Sequence, residues 1–400
     1  MRKRIALIGN MNNFLYPLLR YLEKDFVVDL ILLSTEQKHF LPENDTFETT
    51  YIKTVKSKFS QLPSEFLINS KTYINNLLAP YDFIIGCGPA PAYLSRINKK
   101  LDLFIPYGSD IYYIPFIPFE LKKGIKRLIK EQFLKYHQKR GIQKASNILM
   151  DYTNPIYESL FEKLNINKNR IFNNPPFFYV PEFNSISIKE NYSKSIFYSK
   201  FLKIRGENDL LIFHHSRHEW NIENTVELKI DNYTKGNNKL IQGFASFIKI
   251  TNIKAHLILF EYGSSIELSK NLIKELDIEK NITWMPLMPR KEIMVGISLC
   301  DIGVGELDSS YFSYCTIYEF IAMAKPVIHY RIDSDFKEMY PEMYPMYSAN
   351  TAEQVENYLK EYILNPQAFV DTGILAYNWF LKHAIEKPLN NIINLIDKKI

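Results

Sequence analysis

Two cations and one acid in the second half of the chain have the types and places to handle a phosphorylated ligand. Arg217 lies at the end of an apolar run, LLIFHHSRHEW, and Lys235-Gly236 opens the helical pattern that follows. A guanidinium fork beside a lysine point charge is a natural clamp for a diphosphate. Further on, Ser313, Tyr314, Cys315 and Thr316 lead into the apolar helical run that carries Glu319. Free backbone N–H groups at a helix start suit a phosphate. Glu319 has two readings: a carboxylate accepting from vicinal ribose hydroxyls, or an acid stabilised near a helix start by the dipole. Gly263, in FEYGSS (260–265), marks another strand-to-helix turn where backbone can approach a ligand closely. His214, His215 and His218 invite a metal reading. Positions 214 and 218 share a face only on a helix, and this segment reads as strand and loop, so no metal is expected.

Weaker signals of the same kind sit in the first half. Gly9-Asn10-Met11-Asn12-Asn13 ends the first apolar run. It is either a ligand contact beyond a strand's carboxyl end or a tight turn with Asn caps. G-x-G-x-x-G is absent there, which counts against a dinucleotide oxidoreductase. Asp110, in PYGSD (106–110) with Gly108, is placed to cap a helix or to act on a substrate hydroxyl. Residues 120–144 carry nine Lys/Arg against two Glu, with apolar residues at helical spacing. That stretch is a surface helix with a basic outer face, or a patch for anionic lipid head groups or a phosphate-bearing acceptor.

Short apolar runs must position these residues. RIALIG (4–9), VVDLILL (27–33), DFIIGCG (82–88), LFIPYG (103–108) and NILM (147–150) read as buried strands in the first half. LLIFH (210–214), AHLILF (255–260), NITWM (281–285), DIGV (301–304) and PVIHY (326–330) do so in the second. Helical patterns at 13–24, 69–79, 119–138, 236–250, 264–276, 289–299, 314–324 and 352–364 alternate with them. Runs this apolar predict parallel strands covered on both faces, hence two successive doubly wound α/β domains. The boundary is expected in NNPPFFYVPEFNS (173–185), where Pro175, Pro176 and Pro181 stop regular structure. This gives a first domain over 1–180 and a second over 185–372, with a last helical stretch over about 374–400.

The length of 400 residues fits two cores better than one. A net charge of +5 is too mild to imply a nucleic-acid partner. Cys87, Cys300 and Cys315 lack metal-type spacing and sit in apolar segments, which suggests reduced, buried thiols in a cytosolic protein. The opening MRKRIALIGN has too short an apolar run for a signal peptide, and no stretch reaches the ~20 apolar residues of a membrane span. A cytoplasmic protein is expected.

Read together, these residues resemble the GT-B glycosyltransferases, and within them the large retaining family numbered 4. That family shows an Arg after the first strand of its second half, a Lys-Gly opening the next helix, a Gly turn after a strand, and a glutamate in E-A-M-A-x-G-x-P-V-I. Here those places hold Arg217, Lys235-Gly236, Gly263, and Glu319-Phe320-Ile321-Ala322-Met323-Ala324-Lys325-Pro326-Val327-Ile328. The resemblance spans about 210–330 and extends loosely to Gly9 and to Tyr107-Gly108-Ser109-Asp110, like an altered H-G-x-D. It implies two Rossmann-like domains facing a cleft, with the final helix crossing back to the first domain. It further implies that Arg217 and Lys235 hold the diphosphate of a nucleotide-sugar, that 313–316 contact phosphate, and that Glu319 reads the ribose. Asp110 joins the catalytic set, and Gly9, Asn10, Asn12, Asn13 and Gly108 form the first domain's side. Retention and the lack of a metal follow from the resemblance, and the basic helix favours a glycan or lipid-linked acceptor at the inner membrane face. The sequence departs from the family where a second glutamate is usual: Tyr311 stands there, and Glu306 lies five residues too early. Tyr107 also replaces the usual histidine. A non-catalytic binding module and a sugar-nucleotide epimerase are the alternatives.

Overall fold

In the first strand, Ile5 and Leu7 face one apolar layer while Ala6 and Ile8 face another, and all four are wholly buried. Side chains alternate across a strand, so a run apolar at every position needs cover on both faces. The computed structural model describes residues 2–48, 54–120, 124–149, 155–166, 171–172, 178–221, 234–312 and 314–399. Tyr233, Ser313, the 121–123 part of the basic stretch, and Pro175 and Pro176 of the expected boundary lie outside the described residues.

Two units divide the chain: Met1–Tyr179 with His383–Ile400, and Val180–Lys382. The first contains β1 (Arg4–Ile8), α1 (Leu15–Leu22), β2 (Val27–Leu32), β3 (Thr54–Lys56), α2 (Pro63–Phe66), α3 (Lys71–Leu78), β4 (Phe83–Gly86) and α4 (Ala90–Arg96). It continues with β5 (Leu103–Phe104), α5 (Ser109–Tyr112), α6 (Ile125–Lys144), β6 (Asn147–Leu149), α7 (Pro155–Leu164) and β7 (Ile171–Phe172). Among the described residues its seven strands are all parallel, in the order β3-β2-β1-β4-β5-β6-β7.

The second unit runs through α8 (Tyr198–Glu207), β8 (Leu210–Phe213), α9 (Asn237–Ile250), β9 (Ala255–Phe260), α10 (Ile266–Glu275), β10 (Ile282–Met285) and α11 (Arg290–Leu299). Then come β11 (Ile302–Val304), α12 (Cys315–Ala322), β12 (Val327–His329), β13 (Tyr347–Ser348), α13 (Ala352–Leu364) and α14 (Pro366–Phe380). Its six parallel strands take the order β10-β9-β8-β11-β12-β13. The first unit receives the chain's last helix, α15 (Lys387–Lys398), whose Ile392 and Ile396 pack with Ile5, Leu7 and Leu15. The two α/β sheets with flanking helices are the doubly wound pair that the apolar runs predict.

Three differences have local causes. The basic helix is α6, beginning after Gly124 (φ 83°) and ending at Lys144, not the 119–138 pattern, because a glycine at positive φ interrupts an earlier start. β3, β7 and β13 escape the sequence reading because they are two or three residues long, so no apolar run announces them. The 374–400 stretch is the end of α14, a wide turn over 381–386, and α15.

Candidate functional site

In a parallel sheet that winds one way and then reverses, the loops after the two central strands diverge, leaving a crevice beyond their carboxyl ends. In the second unit those strands are β8 and β11. The loop after β8 carries Arg217, the loop after β11 carries Glu306, and Lys235 stitches them. The Lys235 N–H donates to the Glu219 carbonyl at 2.6 Å, and the Lys235 carbonyl accepts the Leu307 N–H at 3.0 Å. Its Nζ lies 2.8 Å from Glu306 Oε1. Arg217 is exposed, with Nη1 3.2 Å from Glu219 Oε1, and Lys239 pairs with Asp308. Each cation at this rim therefore has a carboxylate partner. Burial pushes Glu306 above its ordinary pKa, against the pull of Lys235 and Arg217.

Gly263 sits where only glycine fits. Its φ is 117°, and a Cβ there would lie 2.5 Å from both the backbone N and the carbonyl O of His218. The close approach lets the His218 N–H donate to Tyr262 and the Ser265 N–H donate to His218, both at 2.7 Å. The turn after β9 is thus locked against the loop bearing Arg217.

The three histidines do not converge. Asn237 donates to His214 Nε2 at 2.8 Å, so Nδ1 carries the proton and donates to the Val304 carbonyl at 2.8 Å, joining β8, β11 and α9. His218 Nδ1 pairs with Ser269 on α10. Burial pushes His214 down to about 4 and His218 down to about 3, so both are neutral at pH 7. His215 turns to α12 instead, where its Nε2 meets Glu319 Oε2. Among the described residues, no group of three or more His, Cys, Asp or Glu side chains is arranged to hold a metal.

Glu319 is buried, and Arg290 Nε lies 3.1 Å from its other oxygen. Burial pushes its carboxyl up, and His215 and Arg290 more than reverse this, holding it below the ordinary value. The helix starts at Cys315, so Glu319 lies beyond the first turn. The dipole reading therefore gives way to a buried triad of Glu319, His215 and Arg290, because the dipole's effect fades within one turn. Tyr314 precedes α12 and its hydroxyl accepts the Glu306 N–H, tying that helix start to the carboxylate on Lys235. Cys315 and Thr316, the first two residues of α12, are half-buried; Cys315 departs from the buried thiols expected, whereas Cys87 and Cys300 are buried. Arg290 and Glu219 carry no motif in the sequence. Glu306 was visible only as an acid at the end of DIGVGE.

The residues named in the first unit hold that unit together. Gly9 (φ 85°) lies so close to β4 that a Cβ would be 2.7 Å from the Cys87 sulfur. Asn10 Nδ2 donates to Asn13 at 2.9 Å and to the Phe40 carbonyl, while its Oδ1 accepts the Tyr16 N–H at 2.9 Å. Asn13 reaches the His39 carbonyl, and Asn12, at φ 53°, forms the turn between them. Asp110 is wholly buried and accepts the N–H groups of Gly88 (2.8 Å), Gly108 (3.0 Å) and Tyr107 (3.1 Å). Burial pushes it up to about 7, against those N–H groups. Of the two readings of Asp110, the turn-capping one matches this geometry.

On α6 both sides carry apolar residues. Its inner side buries Leu128, Leu134 and Ile142 together with Glu131, His137 and Gln138, while Ile125, Ile129, Phe133 and Tyr136 face out, Ile125 with 71% of its surface exposed. Lys126, Lys139, Arg140 and Lys144 flank that apolar stripe. An open groove of about 460 Å³ runs along Lys135, Tyr136, Lys139 and Arg140. Among the described residues, no helix is long and apolar enough to cross a membrane.

No protein-family model and no curated protein sequence matches the chain. Solved structures do match over its whole length. Anabaena HepE in complex with UDP is 14% identical, covers 100% of both chains and superposes with a TM-score of 0.61. A glycosyltransferase from Rickettsia africae is 15% identical over 100% of this chain and 98% of its own, with a TM-score of 0.64. UDP-GlcNAc 2-epimerase from Neisseria meningitidis bound to UDP-GlcNAc is 9% identical over 100% of both, with a TM-score of 0.57. At such identities the likeness is one of fold, and that fold is GT-B.

Proposed function

We propose that this chain is a glycosyltransferase that moves a sugar from a nucleotide-activated donor to a glycan or lipid-linked acceptor, in cell-surface polysaccharide or glycoconjugate synthesis. The observation that carries the reading is the meeting of Arg217, Lys235 and the Gly263 turn at the point where the second sheet reverses. Solved complexes of HepE with UDP and with UDP-glucose support a uridine diphosphate sugar as the first donor to try. In this reading the second unit binds the donor and the first unit the acceptor.

Expelling a nucleoside diphosphate needs positive charge where the bridging oxygen departs. Arg217, exposed and held by one carboxylate, swings to the diphosphate; Lys235 supplies the second charge from the floor of the rim. The N–H groups at the start of α12, over 314–316, receive phosphate oxygens. Glu319 already serves His215 and Arg290, yet each carboxylate oxygen accepts more than one hydrogen bond, which leaves room for ribose hydroxyls. Transfer proceeds with retention and without a metal ion, as the family resemblance implies. The exposed apolar stripe of α6 and the cations beside it hold the protein to an anionic membrane surface at the cytoplasmic side, near a lipid-linked acceptor.

A thermal-shift screen of UDP-, GDP-, ADP- and CMP-sugars tests the donor site, since a ligand at 100 times its dissociation constant adds ~2.7 kcal/mol to stability. One sugar nucleotide should raise the melting temperature and then support transfer or slow donor hydrolysis. No shift with any of them would end the proposal. The epimerase reading rests on the Neisseria structure, and conversion of the free nucleotide-sugar to its epimer without acceptor would favour it.

A further inference from the structure

Glu306 is a buried acid with half of its hydrogen-bonding capacity unused. Oε1 takes the Lys235 ammonium, while Oε2 has no hydrogen-bond partner among the described residues, although Glu306 is only 7% exposed. The charged and titratable groups that face it are Lys235, Arg217 and Glu219 from the β8–α9 connection, with the Tyr314 phenol on its backbone N–H from the start of α12. A buried carboxylate oxygen without a donor is costly in its ionised form. The cost disappears when that oxygen carries a proton and an acceptor stands opposite it. A phosphate oxygen drawn to the Lys235 ammonium is such an acceptor, and its own charge would repel an ionised Glu306.

We propose that Glu306 takes up one proton when a nucleotide-sugar binds and donates it, as a hydrogen bond from Oε2, to an oxygen of the diphosphate. The inference rests on the donor-site reading above and adds to it a group that recognises the anion rather than the sugar. The proton comes from solvent, stays on the carboxyl group while the donor is bound, and returns to solvent when the nucleotide leaves. The direction of the shift in the free protein agrees, since burial already favours the protonated form of Glu306. Lys235 then acts on the diphosphate undiminished by a negative neighbour. Affinity must fall by up to tenfold per pH unit wherever the complex is protonated at Glu306 and the free protein is not.

Isothermal titration of the full chain tests this, with UDP-glucose, or the GDP- or ADP-sugar selected by the thermal-shift screen. The two phosphates of a nucleotide-sugar do not titrate near neutrality, so any proton taken up belongs to the protein. Titrations at about pH 6 and about pH 8, each in two buffers of different ionisation enthalpy, give the number of protons exchanged. Wild type should take up a proton, approaching one per ligand at the higher pH, and bind more weakly there. Glu306→Gln, whose amide always has a hydrogen to donate, should take up none at this position and bind at the higher pH at least as tightly as wild type. Its melting curve checks the fold. Measurable binding without proton uptake in wild type overturns the inference, and so does unchanged uptake in folded Glu306→Gln, which would assign the proton elsewhere. Failure to bind any of the three sugars overturns the donor-site reading as well, an outcome distinct from the other two.

Discussion

The two sheets reverse at equivalent places, between β1 and β4 in the first unit and between β8 and β11 in the second, yet the loops there are built from different chemistry. At the first reversal the polar side chains are turned inward. Asn10, Asn13 and Asp110 satisfy backbone groups of their own unit, and Gln138 joins them by donating to the carbonyls of Gly88 and Asp110, both at 2.9 Å. At the second, Arg217, Lys235 and Lys239 face Glu219, Glu306 and Asp308. Ion pairs of this kind exchange partners for an incoming anion, whereas an Asn or Asp fully used by backbone amides has nothing left to offer. Topology supplies a crevice in both units; side-chain chemistry decides which one is equipped for a charged ligand.

The largest test of this contrast is Glu319→Ala. It leaves Arg290 and His215 facing an empty place in the interior, and breaking a buried pair from one side costs about 3–5 kcal/mol. Urea unfolding should show a loss of that size, with nucleotide-sugar binding gone from whatever remains folded. A loss near zero would mean that the triad does not hold α12 to β8.

Next comes Asp110→Ala, which strips three backbone N–H groups of their acceptor and should cost about 2–3 kcal/mol. Asp110 also predicts a pH signature of known sign. Its carboxyl titrates at about 7 when folded and near 3.9 when unfolded. Between those values the folded chain keeps a proton that the unfolded chain has lost, so this stabilisation is full below about pH 4 and drains away as pH rises towards 7. Buried His214, pushed down to about 4, has the opposite sign and loses stability as pH falls below about 6.5. The signature must therefore be read as wild type minus variant. If folded Asp110→Asn loses transfer activity while keeping its stability, Asp110 is a base after all and the contrast between the units weakens.

How far the sequence discloses all this depends on whether a residue's task is local. The strands of both cores announce themselves, because a strand covered on both faces must be apolar at every position, as in Ile5–Ile8 and Leu210–Phe213. Lys235-Gly236 and Gly263 are legible for a similar reason: each meets a backbone demand of its own turn. Arg290 and Glu306 are not, since their partners lie 29 and 71 residues away and no spacing rule connects them. Asp110 was legible as an acid at a strand end, but its choice between capping and chemistry depends on Gly88, which only the fold brings near.

Arg217→Ala is expected to act on binding alone. Its side chain is 46% exposed and its link to Glu219 is a surface pair, so stability should change by less than about 0.5 kcal/mol. Losing a charge-assisted contact to phosphate costs about 1.5–3 kcal/mol, a ten- to hundredfold weaker affinity for the nucleotide-sugar. Unchanged affinity in titration would remove the guanidinium from the donor site and leave Lys235 as the only cation to argue from.

The smallest effect per residue is expected on α6, where the first unit, with its closed reversal point, still presents an active surface. A helix that exposes Ile125, Ile129 and Tyr136 is poorly matched to water on its outer side. The cations beside that stripe make a second copy of the same helix a repulsive partner and an anionic bilayer an attractive one, at ~1 kcal/mol per Lys or Arg near the surface. Reversing Lys126, Lys139 and Arg140 to Glu should thus weaken flotation with anionic vesicles by at least ~3 kcal/mol, leave neutral vesicles unaffected, and barely move the melting temperature. Ile129→Ser should reduce binding further by taking apolar area out of the contact, about 25 cal/mol for each Å². If wild type floats equally well with neutral and anionic vesicles, charge is not what selects the surface. If it floats with neither, the stripe belongs to another partner, and the basic residues around it predict that this partner is acidic.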